Sequence, residues 1–283
     1  MYIHIFRGLI VGSFSSHKIV FITGVIIILL TMGAAFFGYV LPWGNISYWG
    51  ATVISSFLRV IPFIGRDVVV WFWGRFSVSG STLTRFFLFH FILPLIIVIF
   101  TLFHFIYLHA ICSSNPLGTV NKKDIVRFYP YYFLKDLFLI VIIMLLFNIL
   151  IIEFPFIFID ASNFEIANPI STPTHIKPEW YFLFSYAILR SIPNKIGGVV
   201  SMLVRIVFLF FFVLINLNYK ISYLNSMIKL NLRIFSSLWV ILSFLGASST
   251  DYPFNILILF FSLFYFCTIF FHFLFLFIID SLL

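Results

Sequence analysis

Apolar positions in this chain do not recur at the period of a surface helix or strand; they run together in long blocks. Predominantly apolar runs cover residues 19–41, 86–111, 137–159, 196–218, 234–249 and 254–279. Crossing roughly 30 Å of hydrocarbon takes an α-helix of about 20 residues, and runs of this kind supply it. A shorter apolar stub at 2–14 is too brief to cross. A chain in lipid must satisfy its own backbone polar groups, and apolar runs this long do so as helices. The pattern therefore predicts an all-α, polytopic transmembrane bundle of about six spans preceded by an N-terminal stub.

The connections alternate in character. Residues 42–85 and 160–195 are long and rich in Pro, Trp, Ser and Gly, whereas 15–18, 112–136 and 219–233 are shorter and basic. Nine basic residues (Arg7, Lys18, Lys122, Lys123, Arg127, Lys135, Lys220, Lys229 and Arg233) fall on the second side and seven (Arg59, Arg66, Arg75, Arg85, Lys177, Arg190 and Lys195) on the first. That is a weak positive-inside bias, too small to orient the protein alone.

Composition narrows the class further. Of 283 residues, 63% are hydrophobic and 9% charged, and mean hydropathy is +1.16; soluble domains carry about 25% charged residues, so a soluble fold is excluded. The net charge of +8 is spread through short loops and forms no nucleic-acid face. Cys112 and Cys267 lack the spacing of an iron–sulfur site or of covalently attached haem. Residues 1–13 lack the order of a signal peptide.

Against this background the polar residues inside spans stand out. His90 and His104 are 14 residues apart, a separation that returns to within roughly 40° of the same face and rises about 21 Å along a helix. Ionisable groups inside a span are costly and usually functional. Two aligned histidines at different depths suit axial ligation of two haems, or hydrogen bonding between helices. Gly24 and Gly38 repeat the 14-residue interval on the preceding span, where they thin the helix for flat macrocycles or for close helix packing. Pro94 should kink the helix between the histidines. Arg205 lies mid-span, where insertion costs about 2.5–3.5 kcal/mol, so it is expected to face protein or to snorkel.

The stretches G-Y-V-L-P-W-G-N-I-S-Y-W-G-A-T-V-I at 38–54, H-I-K-P-E-W-Y at 175–181 and the following Y-A-I-L-R-S-I-P-N-K resemble cytochrome b, the haem-bearing quinone-redox subunit of the cytochrome bc complex, respiratory complex III. Thirteen residues between the paired histidines, with the P-E-W-Y half in the same chain, are similar to the mitochondrial type. The resemblance divides the chain into a haem-binding region at 1–118 and a C-terminal region at 119–283 that carries the P-E-W-Y loop.

The resemblance implies that two non-covalent b-type haems serve as cofactors and ubiquinone/ubiquinol as substrate. His104 and His4 would ligate the high-potential haem, and His90 the low-potential one, whose other ligand is expected 14 residues before His4 and so before Met1. By this pattern the chain lacks the family's first helix and most of its second, and reads as partial at its start. Arg85 and Arg7 would meet haem propionates, or snorkel at the interface. Glu179 would accept a quinol proton in an outer pocket lined by Tyr186, Tyr39, Trp49, Gly50 and Ile54; its bland alternative is to interact with a helix N-terminus after Pro178. Trp43 reads more simply as an aromatic-belt residue. His109 and Asp136 would bind and protonate quinone on the inner side, with Ser113 beside them.

Asn45, Ile46 and Tyr48 depart from the family's usual Gln, Met and Phe, and Tyr129 stands where His is commoner. Implied partners are the Rieske iron–sulfur protein, cytochrome c1, other complex III subunits, a second copy and the lipid of the mitochondrial inner membrane; nucleic acid is not expected. The alternatives are a dihaem membrane anchor of another quinone-linked dehydrogenase, in which P-E-W-Y has no role, and a haem-free scaffold or transporter.

Overall fold

A computed structural model of the chain describes residues 1–115, 125–174, 176–214 and 226–281. Lys122, Lys123, Lys220, His175 and the last part of the 196–218 run lie outside them. The stub forms α1 (Tyr2–Val11) and a single turn, α2 (Ser13–Ser16). Gly12 separates them at φ 73°, a left-handed conformation that costs glycine little. The long helix α3 (Lys18–Val40) follows.

The 42–85 stretch is not an open loop. It holds α4 (Asn45–Ser56) and α5 (Gly65–Trp73). The next span, α6 (Gly80–Ile111), begins six residues before the apolar run does. Its polar first turn is helical because the Ser79 N–H donates to Thr82 Oγ1 at 3.1 Å and that hydroxyl donates to the Trp73 carbonyl at 2.8 Å. Helices α3 and α6 pack along each other more extensively than any other pair.

The third long helix, α7 (Phe133–Glu153), is shifted toward the N-terminus relative to the 137–159 run. Phe154 precedes Pro155, a position that disfavours α conformation, and the chain turns there. Then come α8 (Trp180–Ser191), α9 (Lys195–Phe211), α10 (Ser226–Ala247) and α11 (Phe254–Ser281). Asn194 caps α9 by accepting the Ile196 N–H at 2.9 Å.

Among the described residues, five helices are long and apolar enough to cross a membrane. They are α3, α6, α7 with the turn before it, α10 and α11. The sixth expected span appears as α9, 17 residues long and continued by a 3-10 turn at Phe212–Leu214. The core of the second half brings Leu238, Leu242 and Leu245 of α10 against Phe184 and Ile188 of α8 and Ile258 and Tyr265 of α11.

The two Pro- and Gly-rich connections are stitched together over one end of the bundle. Asn45 is the centre of the seam. Its backbone N–H donates to the Glu165 carbonyl at 2.9 Å, and its side-chain oxygen accepts the Asn168 N–H at 3.2 Å. The Ser47 N–H donates to Asn163 Oδ1 at 3.1 Å, and the Trp49 indole donates to the Asn168 and Ser171 carbonyls at 3.1 Å. Trp43, at φ 57°, is half-buried in this cluster, with its ring edge-on to Tyr48 at 5.6 Å, so a membrane-belt role does not describe it.

At Gly44 a Cβ would collide with the carbonyl and side chain of Asn163. Forcing extra atoms into a packed contact costs about 1–3 kcal/mol. Gly44→Ala is therefore expected to part the two connections. Limited proteolysis of the purified complex should show faster cleavage within 160–172, with little change elsewhere.

Candidate functional site

Both span histidines point at α3. The His90 Nδ1–H donates to the Ala34 carbonyl at 2.8 Å. A carbonyl only accepts, so the proton sits on Nδ1 and the lone pair is left on Nε2. His104 is held the same way, 2.9 Å from Thr23 Oγ1. The Thr23 hydroxyl proton is engaged by the Val20 and Ile19 carbonyls, at 2.9 and 3.0 Å, so its oxygen accepts from His104 Nδ1. Anchoring one ring nitrogen in this way is how proteins orient a metal-binding imidazole.

The glycines lie opposite these rings. A Cβ on Gly38 would come within 2.5 Å of His90 Cε1, and one on Gly24 within 3.4 Å of His104 Cε1. The shared 14-residue interval thus pairs glycine with histidine at two heights across the α3–α6 contact.

At the lower height the site is a cleft of about 200 Å³, walled by α1, α2, α3 and the end of α6. His4 faces His104 across it, with ring centroids 6.3 Å apart and planes at 66°. Arg7, Gly24 and Ser113 line the same cleft. So does His17, which sequence reasoning does not single out. It is buried, with Nδ1 2.6 Å from Ser16 Oγ, and its Nε2 donates to the Cys112 carbonyl at 2.8 Å, tying the start of α3 to the end of α6. A lone histidine before a span carries no spacing signal that would reveal this.

At the other end, Glu179 is the residue before α8 but makes no side-chain bond to the helix. Its carboxylate is half-buried and lies beside Tyr39, at the end of α3. Glu179 therefore stands at the N-terminus of α8 without a capping bond. Burial holds the Glu179 carboxyl above the usual carboxylate range; the Tyr39 side chain pulls it back, and the nearby charge of Asp160 adds to the rise.

Tyr186 follows Glu179 by two turns on the same face, and the Arg190 guanidinium lies 5.2 Å over its ring. Arg190 itself donates to the carbonyls of Gly246, Ser248 and Ser249 at 3.0–3.3 Å, fixing α8 to the end of α10. A Cβ on Gly50 would meet nothing within 4 Å, so that part of α4 borders open space, while Ile54 and Trp49 are half-buried. Arg85 packs on the α5 corner, 5.9 Å from the Trp71 ring.

The remaining residues of the inner site, His109, Ser113 and Asp136, are all exposed, and α7 packs extensively only on the turn that precedes it. His109 lies near the end of α6 and Asp136 in the first turn of α7. Among the described residues, α7 makes no extensive contact with another helix of the bundle.

Comparison with known proteins bears on this arrangement. Residues 1–112 match the family described as Cytochrome b/b6/petB and residues 166–266 the one described as Cytochrome b (C-terminal)/b6/petD. The chain is 45% identical over 276 residues to cytochrome b of Apis mellifera ligustica, covering 96% of this chain and 71% of that one. The chain belongs to the cytochrome b family. A solved structure titled hyperthermophilic respiratory Complex III superposes with a TM-score of 0.87 at 28% identity, covering 95% of this chain and 72% of that one. Membership in the cytochrome b family implies haem, and the donor set fits. At the lower level the facing imidazoles of His4 and His104 border a cleft that Gly24 also lines, a set of residues that would hold a haem through histidine.

Two outcomes follow. Gly38→Ala should push the His90 ring off its bond to Ala34 and lower the b-type absorbance of the purified complex, read from reduced-minus-oxidised spectra. Because burial raises the Glu179 carboxyl above the ordinary carboxylate range, its charged form becomes available only at higher pH than for a free carboxylate. Quinol-oxidation rates should climb on the acid side accordingly, and Glu179→Gln should flatten that limb and slow turnover by roughly 10²-fold or more.

Proposed function

We propose that this chain, as the cytochrome b of complex III and a subunit of quinol–cytochrome c reductase, oxidises ubiquinol beside Glu179 and reduces quinone near His109. The observation that supports this most directly is that both span histidines are locked through Nδ1 to α3, with Nε2 left for iron. Residues 1–118 form the haem-binding half and 119–283 the half that carries the outer quinol loop.

His4 and His104 would hold one b-type haem and His90 would contribute to holding the other, with Arg7 and Arg85 available to pair with their acidic groups. When bound, the haems supply one-electron transfer between the two sides of the membrane. The protein's part is to orient the imidazoles, keep the glycine faces open and move protons at the quinone sites. Glu179 accepts a proton from quinol; burial raises its carboxyl above the usual carboxylate range, which favours taking up that proton. Tyr186, Tyr39, Trp49, Gly50 and Ile54 shape that pocket. On the other side His109 and Asp136 hydrogen-bond quinone carbonyls and deliver protons, with Ser113 adjacent.

In this reading the stitched outer connections are the platform for a Rieske iron–sulfur protein, and cytochrome c1 and further complex III subunits complete a homodimeric assembly. The multi-pass chain sits in the mitochondrial inner membrane. A dihaem anchor of another dehydrogenase is disfavoured by the Glu179–Tyr39 pair, which such an anchor would not use.

The test is spectral and residue-specific. The purified complex should show two b-type signals, and His4→Ala and His104→Ala should remove the same one, while His90→Ala removes the other. Loss of different signals in the His4 and His104 variants would overturn the pairing. Insensitivity of quinol oxidation to inhibitors of the outer pocket would overturn the assignment of Glu179.

A further inference from the structure

Arg205 of α9 is half-buried and faces a cavity of the bundle. Its Nε is buried without a hydrogen-bond partner. Its guanidinium lies 4.9 Å over the Phe184 ring and lines a cavity with Tyr2, Ile5, Ile28, Met32 and Tyr265. Its ionisable neighbours are the phenols of Tyr265 and Tyr2, both neutral at physiological pH. Arginine keeps its proton in proteins. The result is a full positive charge on a half-buried side chain whose Nε is enclosed, cushioned by the Phe184 face and opposed by no carboxylate among these neighbours.

The position of that charge is informative. The cavity shares Ile5 with the cleft of His4 and His104. Along α3 its wall runs from Ile28 to Met32, four to eight residues beyond Gly24 and six to ten short of Gly38. At about 1.5 Å per residue it lies about 6–12 Å from the lower glycine–histidine level and about 9–15 Å from the upper. The charge stands between the two levels and closer to the first. In a poorly screened interior a cation acts over such distances, favouring any nearby group in its more negative state.

We propose that Arg205 is a fixed, unneutralised charge that raises the reduction potential of the iron held by His4 and His104 and, more weakly, of the iron held by His90. The inference rests on the reading that these histidines hold haem. Adding an electron lowers the charge of the iron centre by one, and the guanidinium stabilises the reduced form more than the oxidised one. Arg205 is a positioning residue of the electrostatic kind and touches neither quinone nor iron.

Potentiometric titration of the b-type signals in the assembled complex tests it, using Arg205→Gln, Arg205→Met and Arg205→Lys. Both neutral variants should titrate at lower potential. At a fixed applied potential the oxidised-to-reduced ratio should rise several-fold, up to about tenfold, equivalent to about 59 mV for one electron. The shift should be larger for the signal lost in His104→Ala than for the one lost in His90→Ala, and the Arg205→Lys shift should grow as pH rises, because an unpaired buried ammonium gives up its proton where a guanidinium does not. Unchanged potentials in the neutral variants would overturn the proposal. So would failure of both neutral variants to assemble, because a charge without an anionic partner is dispensable for packing. A wild-type complex without b-type signals would instead remove the haem reading beneath it.

Discussion

The contact between α3 and α6 is the constraint on which the site depends. A histidine inside a span has two polar nitrogens and no water, so one of them must be satisfied by protein before the other can be offered to a metal. The carbonyl of Ala34 and the hydroxyl of Thr23 do this at two heights, and both lie on α3. The residue that would obstruct each ring is glycine. Two requirements that normally compete, tight helix packing and open space beside a ligand, are met on one helix face by giving the polar partner and the missing side chain to neighbouring turns.

The outer end follows a different logic. Its backbone leaves regular helices, and each polar group freed there has to be paired. The seam between 42–56 and 160–171 does this through Asn45, Ser47 and Trp49, all of which bond to backbone or side-chain groups more than 100 residues away. Asn45, a departure from the family's glutamine, is buried here and acts as a joint between the connections. Its effect on the quinol pocket is therefore through loop placement. Glu179 is then left free of capping duty, since the turn into α8 is made without it, and its carboxylate is available to Tyr39.

Much of this was legible in the sequence because membrane spans and their intrusions are conspicuous. The His90/His104 and Gly24/Gly38 intervals give the face and height of the site, since 14 residues is nearly a whole number of helical turns. The start of α6 was hidden because Gly80–Arg85 is polar and the helix there is set by Ser79 and Thr82 bonding to one another and to α5. Helices α4 and α5 were hidden for a similar reason, as their residues pack on a local cluster around Tyr48, Val69 and Trp73 and show no span-length pattern. His17 has no interval to betray it; its role comes from a carbonyl 95 residues away. Arg205 was visible as an anomaly, but only the fold shows that it faces inward.

The inner quinone residues show where a single chain stops determining its own site. His109 belongs to α6, which is fixed by its long contact with α3, Ser113 follows the end of that helix, and His17 pins this end through Cys112. Asp136 belongs to α7, whose described residues are all exposed except Ile142, which is half-buried. An apolar helix with no face packed on the bundle takes its position from lipid or from other protein. The distance between His109 and Asp136 is then a property of the surroundings of α7, whereas the His104 level is built into the chain. On this account the His104 level is preorganised locally, whereas the placement of Asp136 relative to His109 depends on where α7 docks.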